Sequence, residues 1–78
     1  MINADKKVVI GKKQTLRALS KNEVSIVYVS EDADTFVTKP IIEVCTNQNI
    51  EIIYFDNMRE LGKACGIDVN AAAAAVLK

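Results

Sequence analysis

The sequence predicts an α/β fold in which helices cover the faces of a central sheet. Three short runs rich in β-branched residues alternate with three segments of helical spacing, an order typical of such folds. The chain has 78 residues, 50% hydrophobic and 26% charged, which fits one folded domain spanning residues 1–78. A domain this short buries only about 60% of the surface that its unfolded chain exposes, so we expect no deep catalytic cleft.

The three predicted strands are short and apolar. They are Val8–Ile10, Ser25–Val29 and Glu51–Phe55. Each is rich in β-branched or aromatic residues, which favour an extended backbone, and turn residues follow the first two. We expect all three to be buried strands.

The first predicted helix, residues 12–21, has an apolar face and a basic face. At about 100° per residue, Leu16 and Leu19 fall on one side of it. The opposite arc carries the polar and cationic side chains Lys13, Gln14, Arg17 and Lys21.

An acidic turn precedes the second predicted helix. This turn contains Glu31, Asp32 and Asp34, and we expect it to be solvated. Apolar residues then recur at helical spacing, at Val37, Ile41, Val44 and Cys45. Pro40, the one proline, is expected in the first turn, where its missing N–H does no harm, with Thr38 as the N-cap.

The third predicted helix follows the third strand. Asn57 and Glu60 have the spacing of a capping box, and Gly66 is expected to end the helix in a left-handed conformation. The apolar stripe consists of Met58, Leu61 and Cys65. Gly62 lies inside this helix, where glycine costs about 0.8 to 1 kcal/mol relative to alanine, so we expect this turn to pack closely against a neighbour.

Residues 71–77 are all apolar, and two structures fit them. Alanine has the highest helix propensity, but seven residues are too few for a self-supporting helix. A strand buried on both faces is also continuously apolar, and the preceding alternation of strands and helices favours a fourth strand.

Cations are concentrated in one part of a chain whose net charge is zero. Six of the ten basic residues, with no acid among them, are Lys6, Lys7, Lys12, Lys13, Arg17 and Lys21. Lys12 and Lys13 fall at a helix start, where the macrodipole is positive and each cation costs about 0.3 to 1 kcal/mol. Backbone N–H groups and ammonium groups at one spot suit a bound phosphate, as in a polyphosphate or a nucleic acid. The zero net charge means that recognition would come from this local patch.

Other chemistries find little support in the sequence. There is no histidine, and Cys45 and Cys65 match no zinc-site spacing, so we expect no metal, no cofactor, and buried thiols in a reducing compartment. No nucleophile with a base and no paired carboxylates are evident, so we expect no enzymatic activity. Residues 1–5 lack a signal segment, and no apolar run approaches the roughly 20 residues of a membrane helix, which favours a cytoplasmic protein.

Three blocks of the sequence together resemble a known family. They are VIGKKQTLRAL at residues 9–19, VYVSEDAD at residues 27–34 and LGKACGIDV at residues 61–69, followed by the alanine segment. These blocks are similar to the kink-turn RNA-binding family typified by the archaeal ribosomal protein L7Ae, and within it to the small bacterial YbxF-like branch. The resemblance covers nearly the whole chain. It implies a three-layer α/β/α sandwich with a central mixed four-stranded sheet, in which the alanine segment is a strand.

The resemblance also implies that two loops lie side by side and hold a sharply bent RNA. Carried over by position, the RNA-contacting residues are Gly11, Lys12, Lys13, Gln14, Arg17 and Lys21 in the first block, and Ile67, Asp68 and Val69 in the apolar loop that covers extruded nucleotides. Archaeal members have Asn-Glu where this chain has Lys13-Gln14, so a charge-assisted hydrogen bond to guanine is lost, although Gln14 keeps an acceptor oxygen. The implied partner is structured RNA with a kink-turn, such as ribosomal RNA or a riboswitch, bound by a monomer.

Two other functions stay open. Relatives of this fold resemble stress adaptors whose acidic loops face partner proteins, and the acidic turn at residues 31–34 is available for that role. A sensor of phosphate metabolites would use only the Gly11–Lys13 turn, and it would leave Ile67 and Val69 unexplained.

Overall fold

Four strands and three helices alternate within residues 7–78, the part of the chain that the computed structural model describes. The strands are β1 (Val8–Ile10), β2 (Val24–Ser30), β3 (Glu51–Phe55) and β4 (Ala73–Leu77). The helices are α1 (Lys12–Ser20), α2 (Thr35–Gln48) and α3 (Met58–Cys65). Each predicted strand and helix is present; Lys6 of the basic run and the segment 1–5 lie outside the described residues. Between residues 7 and 78 no helix combines the length and apolar character that crossing a bilayer requires.

The sheet is mixed, and its strand order is β1-β4-β2-β3. β4 lies antiparallel to both of its neighbours, with Ala75 opposite Val9 of β1 and opposite Val27 of β2. β2 and β3 run parallel, with Tyr28 opposite Ile53. The mixed four-stranded sheet implied by the family resemblance is therefore confirmed.

Helices cover both faces of the sheet and create two separate cores. On one face, Leu19 of α1 and Ile41 of α2 belong to a cluster with the strand residue Val27. On the other face, Leu61 of α3 packs with Ala74 of β4. This arrangement is the three-layer α/β/α sandwich that the resemblance implies.

The alanine segment forms an inner strand of the sheet, although alanine favours helices. β4 lies between β1 and β2, so both of its backbone edges are hydrogen bonded, and α1 and α3 cover its two faces. Ala73, Ala74 and Ala75 are fully buried. Hydrogen bonding along both edges of β4 and burial of both its faces outweigh alanine's preference for a helix. That preference is small, since the helix propensities of most residues differ by less than about 0.7 kcal/mol.

The expectation that all three predicted strands are buried is wrong for β1 and β3. β1 is only half-buried, and in β3 the side chains of Ile53 and Tyr54 are 38% and 51% exposed. Both are the outer strands of the sheet, where one backbone edge has no neighbouring strand within residues 7–78. The apolar composition of a strand does not indicate whether it is an inner or an outer strand, because the strand order depends on the topology of the whole sheet.

Helix α2 begins earlier than predicted. Its N-cap is Asp34, whose carboxylate accepts a hydrogen bond from the Phe36 amide at 2.8 Å, while Thr38 is a buried residue within the helix. Pro40 therefore lies in the second turn and not in the first. The Phe36 carbonyl, which loses its usual amide donor because Pro40 has no N–H, accepts a hydrogen bond from Lys12 instead.

Helix α3 has the predicted ends. The Asn57 side chain accepts a hydrogen bond from the Glu60 amide at 2.8 Å, and Gly66 ends the helix with a left-handed φ of 77°. Cys45 and Cys65 are free thiols. Burial raises the pKa of both, which keeps the thiols neutral and weakly nucleophilic.

Replacing Asp34 by alanine is expected to destabilise the fold by about 1 kcal/mol, because α2 loses the side chain that caps its first turn. Urea unfolding followed by circular dichroism measures the change. Glu31→Ala is the matched control, since it removes an exposed acid of the same turn that caps no helix. Equal unfolding midpoints for the two variants would contradict this role of Asp34.

Candidate functional site

The turns that follow β1, β2 and β3 and the loop that leads into β4 lie at one edge of the sheet. β1, β2 and β3 run in one direction and β4 in the opposite one, so three carboxyl ends and the amino end of β4 lie together. We call this the loop edge. It comprises Gly11 and the first turn of α1, the acidic turn at 31–34 with the first turn of α2, residues 56–57, and the loop at 66–72.

Hydrogen bonds join the turns after β1 and β2 to residues 71–73, at the start of β4. The Gly11 amide donates to the Ala73 carbonyl at 2.9 Å, and the Ser30 amide donates to the Ala72 carbonyl at 3.0 Å. The buried Ser30 hydroxyl donates to the Ala71 carbonyl at 2.7 Å. The turn before α1 and the loop before β4 are thus adjacent in space, although they are far apart in the sequence.

The acidic turn has a structural role at the loop edge. The carboxylate of Asp32 accepts a hydrogen bond at 2.8 Å from the amide of Met58, the first residue of α3. The Met58 carbonyl accepts in turn from the Ala71 amide at 3.0 Å. The turn is exposed, as expected, but its Asp32 and Asp34 also hold the starts of two helices in place.

The start of α1 is exposed and rich in positive charge. Gly11 precedes the helix with φ 98° and ψ 162°, a backbone conformation open to glycine and strained for other residues. The side chains of Lys12, Lys13 and Gln14 are exposed, the first turn contains no acid, and no side chain of the described part of the chain caps it. The predicted placement of two lysines at the positive end of a helix dipole is therefore confirmed.

One of these lysines is held by the neighbouring helix. Lys12 Nζ donates to the Phe36 carbonyl oxygen at 3.1 Å. In an uninterrupted helix this carbonyl would accept from the amide four residues later, but that residue is Pro40, which has no N–H. An ammonium group has three N–H donors, so Lys12 retains two for a ligand.

The basic face of α1 leads away from the loop edge. Arg17 and Lys21 line a shallow groove of about 150 Å³ along this helix. The groove also includes Lys7, Gln14 and Glu23. Because the helix has nine residues and rises about 1.5 Å per residue, Lys21 lies roughly 14 Å from the helix start. The structure thus brings residues 11–14 to the loop edge, sets Arg17 one turn away and leaves Lys21 at the far end.

The apolar loop exposes only part of its predicted surface. Ile67 is half-buried and packs against the core under α3, whereas Val69 is 68% exposed and Asp68 is exposed. The three residues stay together at the loop edge, and Val69 supplies most of the apolar area that is open to solvent.

The backbone of this loop lies directly against α3 at Gly62. Gly62 is buried, and a Cβ atom at this position would collide with the Val69 carbonyl oxygen. The close packing expected at this interior glycine is therefore confirmed, with the loop itself as the neighbour.

Three further side chains in or beside the loop edge are not assigned from the sequence. Arg59 and Lys63 line a cavity of about 270 Å³ together with loop residues 67–70. Their spacing of four residues could have placed them on one face of α3. Phe36 is 83% exposed and lies in the first turn of α2. The predicted N-cap at Thr38 places it before the helix, so the sequence does not assign it to the site.

The loop edge combines groups that suit a phosphate chain carrying unstacked bases. Ammonium groups and backbone N–H groups at the start of α1 match phosphate oxygens. The Gln14 amide offers a donor and an acceptor, and Val69 offers apolar surface.

Sequence comparison places the chain among known proteins. Residues 2–78 match the profile of the ribosomal protein L7Ae/L30e/S12e/Gadd45 family. An RNA-binding protein of Caldanaerobacter subterraneus is 51% identical over 69 residues, which cover 88% of this chain and 84% of that protein. The RNA-binding protein YbxF of Geobacillus stearothermophilus is 44% identical over 72 residues, which cover 92% of this chain and 88% of that protein.

Solved structures share the fold. The 15.5 kD RNA binding protein of Giardia lamblia superposes with a TM-score of 0.84 at 19% identity, over 91% of this chain and 60% of that one. A protein of unknown function from Bacillus halodurans gives a TM-score of 0.81 at 24% identity, over 91% of this chain and 71% of that one. At these identities the likeness establishes the fold alone.

Gly62→Ala is expected to destabilise the protein by about 1 to 3 kcal/mol, because the added methyl group forces α3 and the loop apart. In an unobstructed helix the same change would stabilise by up to about 1 kcal/mol, so the sign of the effect is diagnostic. Chemical denaturation measures it. Lys63→Ala, an exposed neighbour on the same helix, is the control and should unfold near the wild-type midpoint.

Proposed function

Because the chain belongs to the ribosomal protein L7Ae/L30e/S12e/Gadd45 family, we propose that it is an RNA-binding protein that recognises and stabilises kink-turn RNA. It acts as a monomer, and ribosomal RNA or a riboswitch is its candidate target. The names of its relatives support the first part of this proposal, since those of C. subterraneus and G. stearothermophilus are called RNA-binding proteins.

The observation that carries the proposal is the contact between two distant parts of the chain. The Gly11 turn, which opens the cationic helix, is hydrogen bonded to the start of β4, directly after the loop with Val69. A ligand that spans the loop edge therefore meets cations and apolar surface together. A plain duplex offers phosphates but keeps its bases stacked, whereas a bent RNA with unpaired nucleotides offers both.

The proposed mechanism follows from the electrostatic repulsion between phosphates at a bend in the RNA. A sharp kink brings phosphates together, and their repulsion keeps the bent form in the minority when RNA is free. A protein that binds only the bent form shifts the population toward it, by as much as its affinity for the two forms differs. The compact cationic start of α1 offsets the phosphate repulsion at the place where it is largest.

Each proposed contact has a chemical reason. Lys12, Lys13 and Arg17 neutralise phosphates of the RNA backbone, and Lys21 extends this neutralisation further along the RNA. Gln14 reaches a base edge with its amide. Ile67, Asp68 and Val69 form the loop that covers unstacked nucleotides, with Val69 giving the larger apolar contact.

The structure disfavours the alternative of a protein-interaction adaptor. That function would need the acidic turn as a free docking surface. Asp32 and Asp34 instead hold the amide groups at the starts of α3 and α2, at 2.8 Å each. One oxygen of each carboxylate is therefore already occupied at a helix start, which leaves only their remaining lone pairs for a protein partner.

The expected result for wild-type protein is tighter binding to a kink-turn RNA than to a plain duplex of equal length. Arg17→Ala should weaken binding to the kink-turn and reduce the slope of log K against log salt by about one unit, because one phosphate contact is lost. Gel-shift titrations at several salt concentrations measure both effects. Lys78→Ala is the matched control, since it removes an exposed cation beyond the end of β4, at the opposite edge of the sheet. Equal affinity of the wild type for the two RNAs would refute kink-turn recognition.

A further inference from the structure

Phe36 is the most exposed large apolar side chain among the described residues. Its exposed fraction is 83%, compared with 68% for Val69, 51% for Tyr54 and 38% for Ile53. A side chain with most of its surface in water contributes little burial energy to the fold. Packing therefore does not account for an aromatic ring at this position.

The backbone of Phe36 contacts the cationic start of α1. Lys12 Nζ lies 3.1 Å from the carbonyl oxygen of Phe36 itself, so the ammonium group and the aromatic residue belong to one local surface. The Phe36 amide is fixed as well, because it donates to Asp34 at 2.8 Å. Both backbone groups of Phe36 are thus held, which fixes the point on the surface from which its side chain projects.

The two most exposed large apolar side chains lie on opposite sides of the loop edge. Phe36 is in α2, which covers one face of the sheet, and Val69 is in the loop that packs against Gly62 of α3, on the other face. Lys12, at the start of α1, is hydrogen bonded to the first of them. This arrangement gives the edge two apolar contacts, of which the family resemblance assigned only the Val69 loop.

We propose that Phe36 is a stacking platform for an unpaired RNA base, whose flanking phosphate is neutralised by Lys12. This inference rests on the proposed function, because it adds a second base contact to the same RNA interface. Every base has a π face, so the contact favours unpaired nucleotides over stacked ones without selecting a particular base. A protein partner for the exposed ring is the competing explanation, and the test below separates the two.

The test compares Phe36→Ala with Tyr54→Ala on one kink-turn RNA at fixed salt. Phe36→Ala should weaken binding roughly five- to 150-fold, the range found when an aromatic residue that stacks on a base is truncated. Its salt dependence should keep the wild-type slope, because no charge is removed. Tyr54→Ala removes the next most exposed aromatic side chain, on the outer strand β3, and should bind as the wild type does.

A fluorescence measurement gives a second readout that does not depend on affinity. The chain has no tryptophan, so Phe36→Trp introduces a single reporter at the proposed stack. The variant should retain binding, and its emission should be quenched by kink-turn RNA, whereas the emission of Tyr54→Trp should not change.

The outcomes separate this inference from the proposed function. Wild-type affinity for Phe36→Ala, or unchanged emission of Phe36→Trp on RNA binding, would overturn the stacking role while leaving kink-turn recognition intact. A protein partner would then explain the exposed ring. If the wild type fails to prefer kinked RNA over duplex, the proposed function falls and this inference falls with it.

Discussion

Three hydrogen bonds from Gly11 and Ser30 to residues 71–73 hold together the edge on which the candidate site is built. They exist because β4 enters the sheet between β1 and β2 and runs against both. Its first residues then lie within reach of the turns that follow those two strands. An alanine-rich strand suits this inner position, since small side chains permit helices on both faces. The chemistry of the site therefore depends on a strand that contributes no functional side chain of its own.

At the loop edge, groups from both helical layers are close enough for one ligand to contact them. The layer of α1 and α2 supplies the cations and Phe36, and the layer of α3 supplies the support for the Val69 loop. Gly62 matters in this respect because the missing side chain lets the loop backbone lie directly on the helix. Each layer contributes cationic and apolar groups to the same edge, so the sandwich architecture shapes the candidate binding surface as well as supporting it.

Much of this organisation could be predicted from local sequence patterns. The structure confirms three local features: the periods of the strands and helices, the N-cap at Asn57 and the end of α3 at Gly66. Strand order is not local, so the exposure of β1 and β3 could not be derived from their composition. The predicted start of α2 is wrong because Pro40 lies one turn later than the position that proline favours, where Lys12 donates to the carbonyl that Pro40 leaves without an amide donor. That tertiary contact, from Lys12 to Phe36, leaves no signature in either segment.

The contact between Lys12 and the Phe36 carbonyl has an entropic consequence. A free lysine side chain loses rotamer freedom worth about 1.5 to 2 kcal/mol when it is immobilised. Here part of that loss occurs when the protein folds, because the carbonyl left vacant by Pro40 already restrains the ammonium group. Binding an anion then requires less ordering of the chain. A proline in one helix thereby pre-organises a cation on another.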